Sequence, residues 1–146
     1  MTIKMFDEYI RLGIVKKQRQ NTERAKSLIN EAEDKKKFLE FSLKIMPIEK
    51  VYSNFIIDYC YDILMELIRA KMFMEGYNAG NSHEAEVSYM RLLNFNDVDI
   101  KFMDELRYNR NGIKYYGIIL DKEYSEKVLN FMNKIHSKLK NLLSTS

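Results

Sequence analysis

The stretch Tyr52-Ser-Asn-Phe-Ile-Ile-Asp-Tyr-Cys-Tyr-Asp-Ile-Leu-Met-Glu-Leu-Ile-Arg-Ala-Lys-Met-Phe-Met-Glu75 decides the fold. It lies in the most apolar segment of the chain, Ile48 to Glu75, and its apolar residues recur at helical spacing. One stripe is Tyr52, Ile56, Tyr59, Ile63, Leu67, Ala70 and Met74. A second, offset around the wheel, is Phe55, Cys60, Leu64, Ile68 and Met72. A helix that is apolar on more than one side must be covered on more than one side. In a small bundle this predicts a core face plus a dimer face. Asp58, Asp62 and Glu66 interrupt the apolar runs, so no stretch has the make-up of a membrane span.

On the N-terminal side, Asn21 or Thr22 can cap a helix running to about Ile45, with Ala25, Leu28, Ile29, Ala32, Leu39 and Leu43 as its stripe. Asp34-Lys-Lys-Lys37 is a polar interruption in it, and Pro47 ends it or opens the next helix. A first helix is expected from about Ile3 to Gly13, with Phe6, Tyr9 and Ile10 on one side.

On the C-terminal side, Gly76 suits the helix end, and Tyr77 to Asn81 is expected to be a loop. Ser82 caps a helix carrying Ala85, Val87, Tyr89, Met90, Leu92 and Leu93, which Asn94 and Asn96 break. Asp97 or Asp99 opens another helix, through Phe102, Met103, Leu106, Arg110 and Ile113 to Tyr116, and Gly117 stops it. The last helix runs from about Asp121 to Leu143, with Val128, Met132, Ile135 and Leu139 in its stripe and a frayed end from Ser144 to Ser146. No segment has the pattern of a strand of any length. The expectation is one all-α domain over 1–146, an antiparallel up-and-down bundle of five to six helices.

Composition agrees. The 146 residues suit one domain, and 46% apolar with 31% charged residues is ordinary for a globular chain. Gly numbers 5 and Pro 1, so long uninterrupted elements are expected. Cys60 is the single cysteine, which excludes an internal disulfide, and its apolar surroundings suit a small buried hydrophobe. Met1 to Gln18 lacks the hydrophobic core of a signal peptide, so a cytoplasmic location is expected. The net charge of +3 is mild for a nucleic-acid binder, but from Lys101 onward nine positive residues face five negative ones. An anionic partner would be drawn to that third of the chain.

Arg110 stands out chemically. It occupies the stripe set by Met103, Leu106 and Ile113, and a guanidinium on an apolar face needs partners because it does not deprotonate. A carboxylate such as Glu66 or Asp62 could hold it in a purely structural role; a ligand is the alternative. Asn111 and Gly112 follow in mid-helix, where both are poor formers, and such local rule-breaking often marks a functional or strained site. Arg107, Arg110 and Lys114 form a ridge along one side, and two such ridges across a dimer would make a basic cleft for phosphates. Tyr115 and Tyr116 could stack on bases or simply bury area. His83 and His136 are the only histidines; His136 is expected to be exposed. With one Cys they give no metal-ligand spacing, and no cofactor motif is present.

Three segments together resemble the HEPN family (higher eukaryotes and prokaryotes nucleotide-binding): the quoted helix from Tyr52, Glu75-Gly-Tyr77 leading to Ser82-His-Glu-Ala85, and Leu106-Arg-Tyr-Asn-Arg-Asn-Gly-Ile-Lys-Tyr-Tyr-Gly117. The matching segments span roughly Ala25 to Lys138. The resemblance implies a dimeric helical bundle that binds RNA or nucleotides. It also implies metal-independent ribonuclease activity, often as the toxin half of a pair with a nucleotidyltransferase antitoxin. The family's signature is an Arg, a polar residue, and a His four to six positions on, shared in one cleft by both protomers. Arg110 and Asn111 match its first part. Lys114, Tyr115 and Tyr116 stand where the His falls. A Tyr with a pKa near 10 is a poor general base beside His. By this resemblance Arg110, Asn111, Tyr115 and Tyr116 are the candidate catalytic residues, with Arg107, Lys114 and His83 as ligand contacts. The alternatives are an inactive protein-interaction dimer, or an enzyme in which His83 replaces the missing histidine, which requires His83 to lie near Arg110.

Overall fold

The computed structural model describes residues 3–47 and 51–144, and these form six α-helices with one very small sheet. The helices are α1 (Phe6–Arg11), α2 (Thr22–Ile45), α3 (Ser53–Met74), α4 (His83–Ser88), α5 (Asp97–Tyr116) and α6 (Lys122–Ser144). The all-α bundle expected from periodicity is what the chain forms. No helix is long and apolar enough to cross a membrane among the described residues.

α3 is the axis. α2 packs along one side and α6 along another, while α4 and α5 close the remainder. Its two apolar stripes are both covered by the chain's own helices: Ile56, Cys60, Ile63, Leu64, Leu67, Ile68 and Met72 are all buried. Those buried members leave neither stripe as a wholly open face of α3 within one protomer. A helix apolar all round is satisfied here by being surrounded within one protomer.

Four of the helix starts have a side-chain cap. The Asn21 side chain accepts from the Arg24 N–H at 3.0 Å, Ser82 from Ala85 at 3.1 Å, and Asn96 from Asp99 at 2.8 Å. Asn96 is therefore the cap of α5 rather than a breaker, and Asp97 is its first residue. Asp121 accepts from Tyr124 N–H at 2.8 Å and opens α6. Gly76 (φ +84°) and Gly117 (φ +66°) take the left-handed conformation that ends α3 and α5.

Several boundaries differ from expectation. α1 is shorter, because Arg91 takes the carbonyls of Ile3 and Lys4 (2.9 and 2.8 Å) ahead of it. α4 stops at Ser88 and tightens into a 3-10 turn over Tyr89–Arg91. Tyr77–Asn78, expected as loop, pairs antiparallel with Lys16–Lys17 to give β2 and β1. That pairing straps the N-terminal segment to the end of α3, where Gly76 carbonyl accepts from Gln18 N–H at 2.8 Å. Pro47 follows the end of α2, and Ile48 lies outside the described residues. Ser144 continues α6 instead of fraying; Thr145 and Ser146 lie outside the described residues.

Candidate functional site

The site begins at Arg110. Its position on the α5 stripe turns it toward α3, where it is 7% exposed. Its Nε donates to Asp58 at 3.0 Å and its Nη2 to Asp62 at 3.3 Å. Its guanidinium also lies over the Tyr61 ring, 5.2 Å from the centroid. Asp62 is thus a partner as foreseen. Glu66 is not; it sits 2.9 Å from Lys35, which also draws Asp62 and Glu31.

Lys35 was hidden in the sequence inside a run of charged residues. The signal that could have found it is its spacing, three residues after Ala32 and four before Leu39, on the buried stripe of α2. Burial alone would lower its pKa; Glu66, Asp62 and Glu31 outweigh that and hold it above the ordinary lysine value. Glu66 is pushed up to about 7, first by burial and then by its hydrogen bond to Glu31. Three acids crowd one lysine, so the Lys35 charge is favoured while buried Glu66 gives up its proton less readily.

His83 approaches from the start of α4. It shares a groove of about 330 Å³ with Asn81, Ser82, Glu84, Arg107, Arg110, Asn111 and Tyr115. The fold therefore brings His83 beside Arg110, as the third sequence hypothesis required. The imidazole Nδ1 is 2.9 Å from the hydroxyl of Tyr61, a fully buried residue of α3. Burial pushes the Tyr61 hydroxyl up, so it stays protonated. Burial also lowers the His83 pKa, which leaves a neutral ring at neutral pH. A second hollow of about 270 Å³ adjoins on the other side of His83, bounded by Lys35, Asp62, Glu66 and Arg69. Larger hollows of about 380 and 530 Å³ lie on the outer turns of α5 and along α2, and neither reaches Arg110 or His83.

Other candidates fall elsewhere. Lys114 and Tyr116 are exposed, Tyr116 at 81%, and neither lines the groove. Tyr115 stands at its rim, 69% exposed. Arg107 reaches the groove but its Nε and Nη2 both lie 2.8 Å from Asp104. The ridge of three cations is thus not a free basic surface: Asp104, Asp58 and Asp62 partner two of its members. His136 is not exposed; its Nε2 lies 2.8 Å from Glu33 and ties α6 to α2, far from a ligand role. Cys60 is buried, and burial pushes its thiol up to about 12, which makes it inert at neutral pH.

The poor helix former Gly112 has a packing reason. A Cβ there would lie 3.0 Å from the Ile118 Cδ1, and the Gly112 carbonyl accepts from Ile118 N–H at 3.2 Å. The loop after α5 folds back over this point. Asn54 fixes it, donating to the Ile118 carbonyl and accepting from Leu120 N–H, each at 2.9 Å. Asn111 lines the groove beside it, half-buried, with no side-chain hydrogen bond among the described residues.

What the groove offers is the Arg110 edge not taken by carboxylates, the Asn111 amide and the imidazole, with Arg107 already paired to Asp104 and the Glu84 carboxylate on the same lining. Those donors suit phosphate oxygens. Comparison with known proteins adds no family: the family models, the curated proteins and the solved structures searched give no match to this chain.

Proposed function

We propose that this chain is a HEPN-type RNA- or nucleotide-binding protein whose phosphate contacts lie in the groove between α4 and α5. The observation that carries the reading is the convergence of His83 with Arg107, Arg110, Asn111 and Tyr115, residues from two separate stretches of sequence, on one groove. Phosphate would be held by Arg110 and Asn111, with Tyr115 at the rim placed to stack on a base. The finer parts of the same proposal are metal-independent ribonuclease activity and a nucleotidyltransferase antitoxin as partner, and both rest on the family resemblance. Binding is the better supported half, because Tyr115 and Tyr116 make poor proton carriers.

The test is binding of a fluorescein-labelled single-stranded RNA in EDTA, followed by anisotropy at several salt concentrations. Affinity should fall with salt at a log–log slope of about −0.7 per phosphate neutralised. Asn111→Asp, which puts a carboxylate beside the bound phosphate, should weaken binding by about tenfold or more. Equal affinity for the parent and this variant would sink the assignment. Gel analysis of the same RNA after incubation reads cleavage directly.

A second reading, an inactive protein-interaction homodimer, is favoured by one specific observation. Phe41, Ile45, Tyr52, Tyr116, Ile118 and Ile119 are all exposed, between 49% and 81%, around the end of the bundle where α2 gives way to α3. Exposed apolar residues gathered in this way mark association surfaces. Sedimentation of the parent against Ile119→Glu distinguishes a dimer built there from a monomer.

A further inference from the structure

The Tyr61–His83 contact limits what the groove can do, and it can be argued from satisfaction of one buried proton. Tyr61 has no exposed surface, and His83 Nδ1 at 2.9 Å is its hydroxyl's hydrogen-bond partner among the described residues. Two arrangements are open. In the first, the hydroxyl donates to Nδ1; its proton is satisfied, and the ring carries its own proton on Nε2. In the second, Nδ1–H donates to the phenol oxygen, and the hydroxyl proton is left buried without an acceptor. A buried donor without a partner is costly, so the first arrangement wins. The Arg110 guanidinium also lies over the Tyr61 ring, 5.2 Å from its centroid.

We propose that Tyr61 is a positioning residue that holds His83 as its Nε2–H form, so that His83 serves the groove as a neutral donor to a phosphate oxygen and does not accept the proton of a ribose 2′-hydroxyl. The inference rests on the phosphate-binding reading given above and deepens it. His83 lines both this groove and the adjoining hollow, Nδ1 is spent on Tyr61, and Nε2 has no hydrogen bond among the described residues. A nitrogen that already bears a proton has no lone pair to offer as a base. Substituting for the missing histidine would require His83 to move that proton to Nδ1 and orphan the Tyr61 hydroxyl. The groove is thereby a binding surface with a preset donor, and the family's proton-transfer role does not pass to His83.

The experiment is long-range nitrogen–proton NMR of the imidazole rings in the ligand-free protein at neutral pH, with His83→Gln to assign the His83 signals apart from those of His136. The expected result is a protonated Nε2 and an unprotonated Nδ1 at His83, and a mixture of both tautomers in Tyr61→Phe. A protonated Nδ1 in the parent protein overturns the proposal, as does a Tyr61→Phe protein whose tautomer is unchanged. Should Tyr61→Phe fail to fold, the parent spectrum still decides. The tautomer is read without ligand, so loss of the RNA-binding claim leaves this result standing, and a reversed tautomer leaves RNA binding untouched.

Discussion

Replacing Arg110 with Met keeps an unbranched apolar stem and removes the guanidinium with its charge, so it tests the interaction with Asp58 and Asp62. Breaking a fully buried pair costs about 3–5 kcal/mol, while an exposed pair contributes about 0–1 kcal/mol. This one lies between. The arginine side chain is 9% exposed, but the two carboxylates keep 38% and 28% of their surface in water. Asp62 also retains Lys35 at 3.7 Å. Those values place the loss at about 2 kcal/mol, to which the contact with the Tyr61 ring adds about 0.5 kcal/mol. Arg110→Met should therefore destabilise the chain by roughly 2–3 kcal/mol, or lower its melting temperature by about 6–10 °C for a domain of this size. Urea unfolding followed by far-ultraviolet circular dichroism checks this, with a lower midpoint and an unchanged slope. Adding Asp58→Asn and Asp62→Asn should recover about half of the loss, because the stranded carboxylates are then neutral. A loss below about 0.5 kcal/mol in Arg110→Met would refute the reasoning: the arginine would not be held by α3, and its whole guanidinium would be available to a ligand.

Other perturbations have equally definite outcomes. Glu66 has a folded pKa of about 7, above its ordinary 4.5, because burial disfavours its charge. The folded state then holds an extra proton between those values, so stability falls as pH rises from about 4.5 to 7. Relative to a Glu66→Gln variant the parent should lose on the order of 2 kcal/mol across that window, and parallel pH curves for the two proteins would show that the acid cluster keeps no proton. Gly76→Ala should cost about 2–4 kcal/mol, since its φ is +84° and the new Cβ would lie 2.6 Å from the Gln18 carbonyl oxygen. Gly112→Ala should stay within about 1 kcal/mol of the parent, because the nearest atom is the movable tip of Ile118 and alanine favours the helix. Denaturant midpoints of the two glycine variants, measured side by side, check both.

The fold was legible because its rules are local. The period of α3, the caps Asn21 and Ser82, and the glycines at 76 and 117 all act within one turn of the residues that reveal them. What was illegible depended on who stands opposite. An apolar stripe of α3 has the same sequence whether a helix of its own chain or another protomer covers it, so periodicity alone does not say which. Lys35 is surrounded by acids of its own helix and of α3, and Asp58, not Glu66, reaches Arg110; both depend on helix rotation that a single stripe does not set. Arg110, Asn111 and His83 were found from spacing and resemblance, whereas Tyr61 belonged to neither apolar stripe and carried no signal of its partner.

On the proposed phosphate-binding reading, the geometry of Arg110 lets a structural and a ligand-binding role coexist. A guanidinium is a planar fork with five N–H donors. Asp58 takes Nε and Asp62 takes Nη2, both on the side facing α3, and no hydrogen bond among the described residues reaches Nη1. The two carboxylates cancel much of the arginine's field, which lowers its long-range attraction for any anion, yet they hold the remaining N–H groups at a fixed angle beside Asn111. A donor whose orientation is set before binding loses little entropy when a phosphate arrives. The cost falls on affinity at a distance and the gain on geometry at contact. The same logic applies to His83, fixed by Tyr61 and uncharged. A groove built in this way favours a ligand that fits its donors over one drawn merely by charge, and its binding should therefore depend less steeply on salt than the count of basic residues in the last third of the chain would suggest.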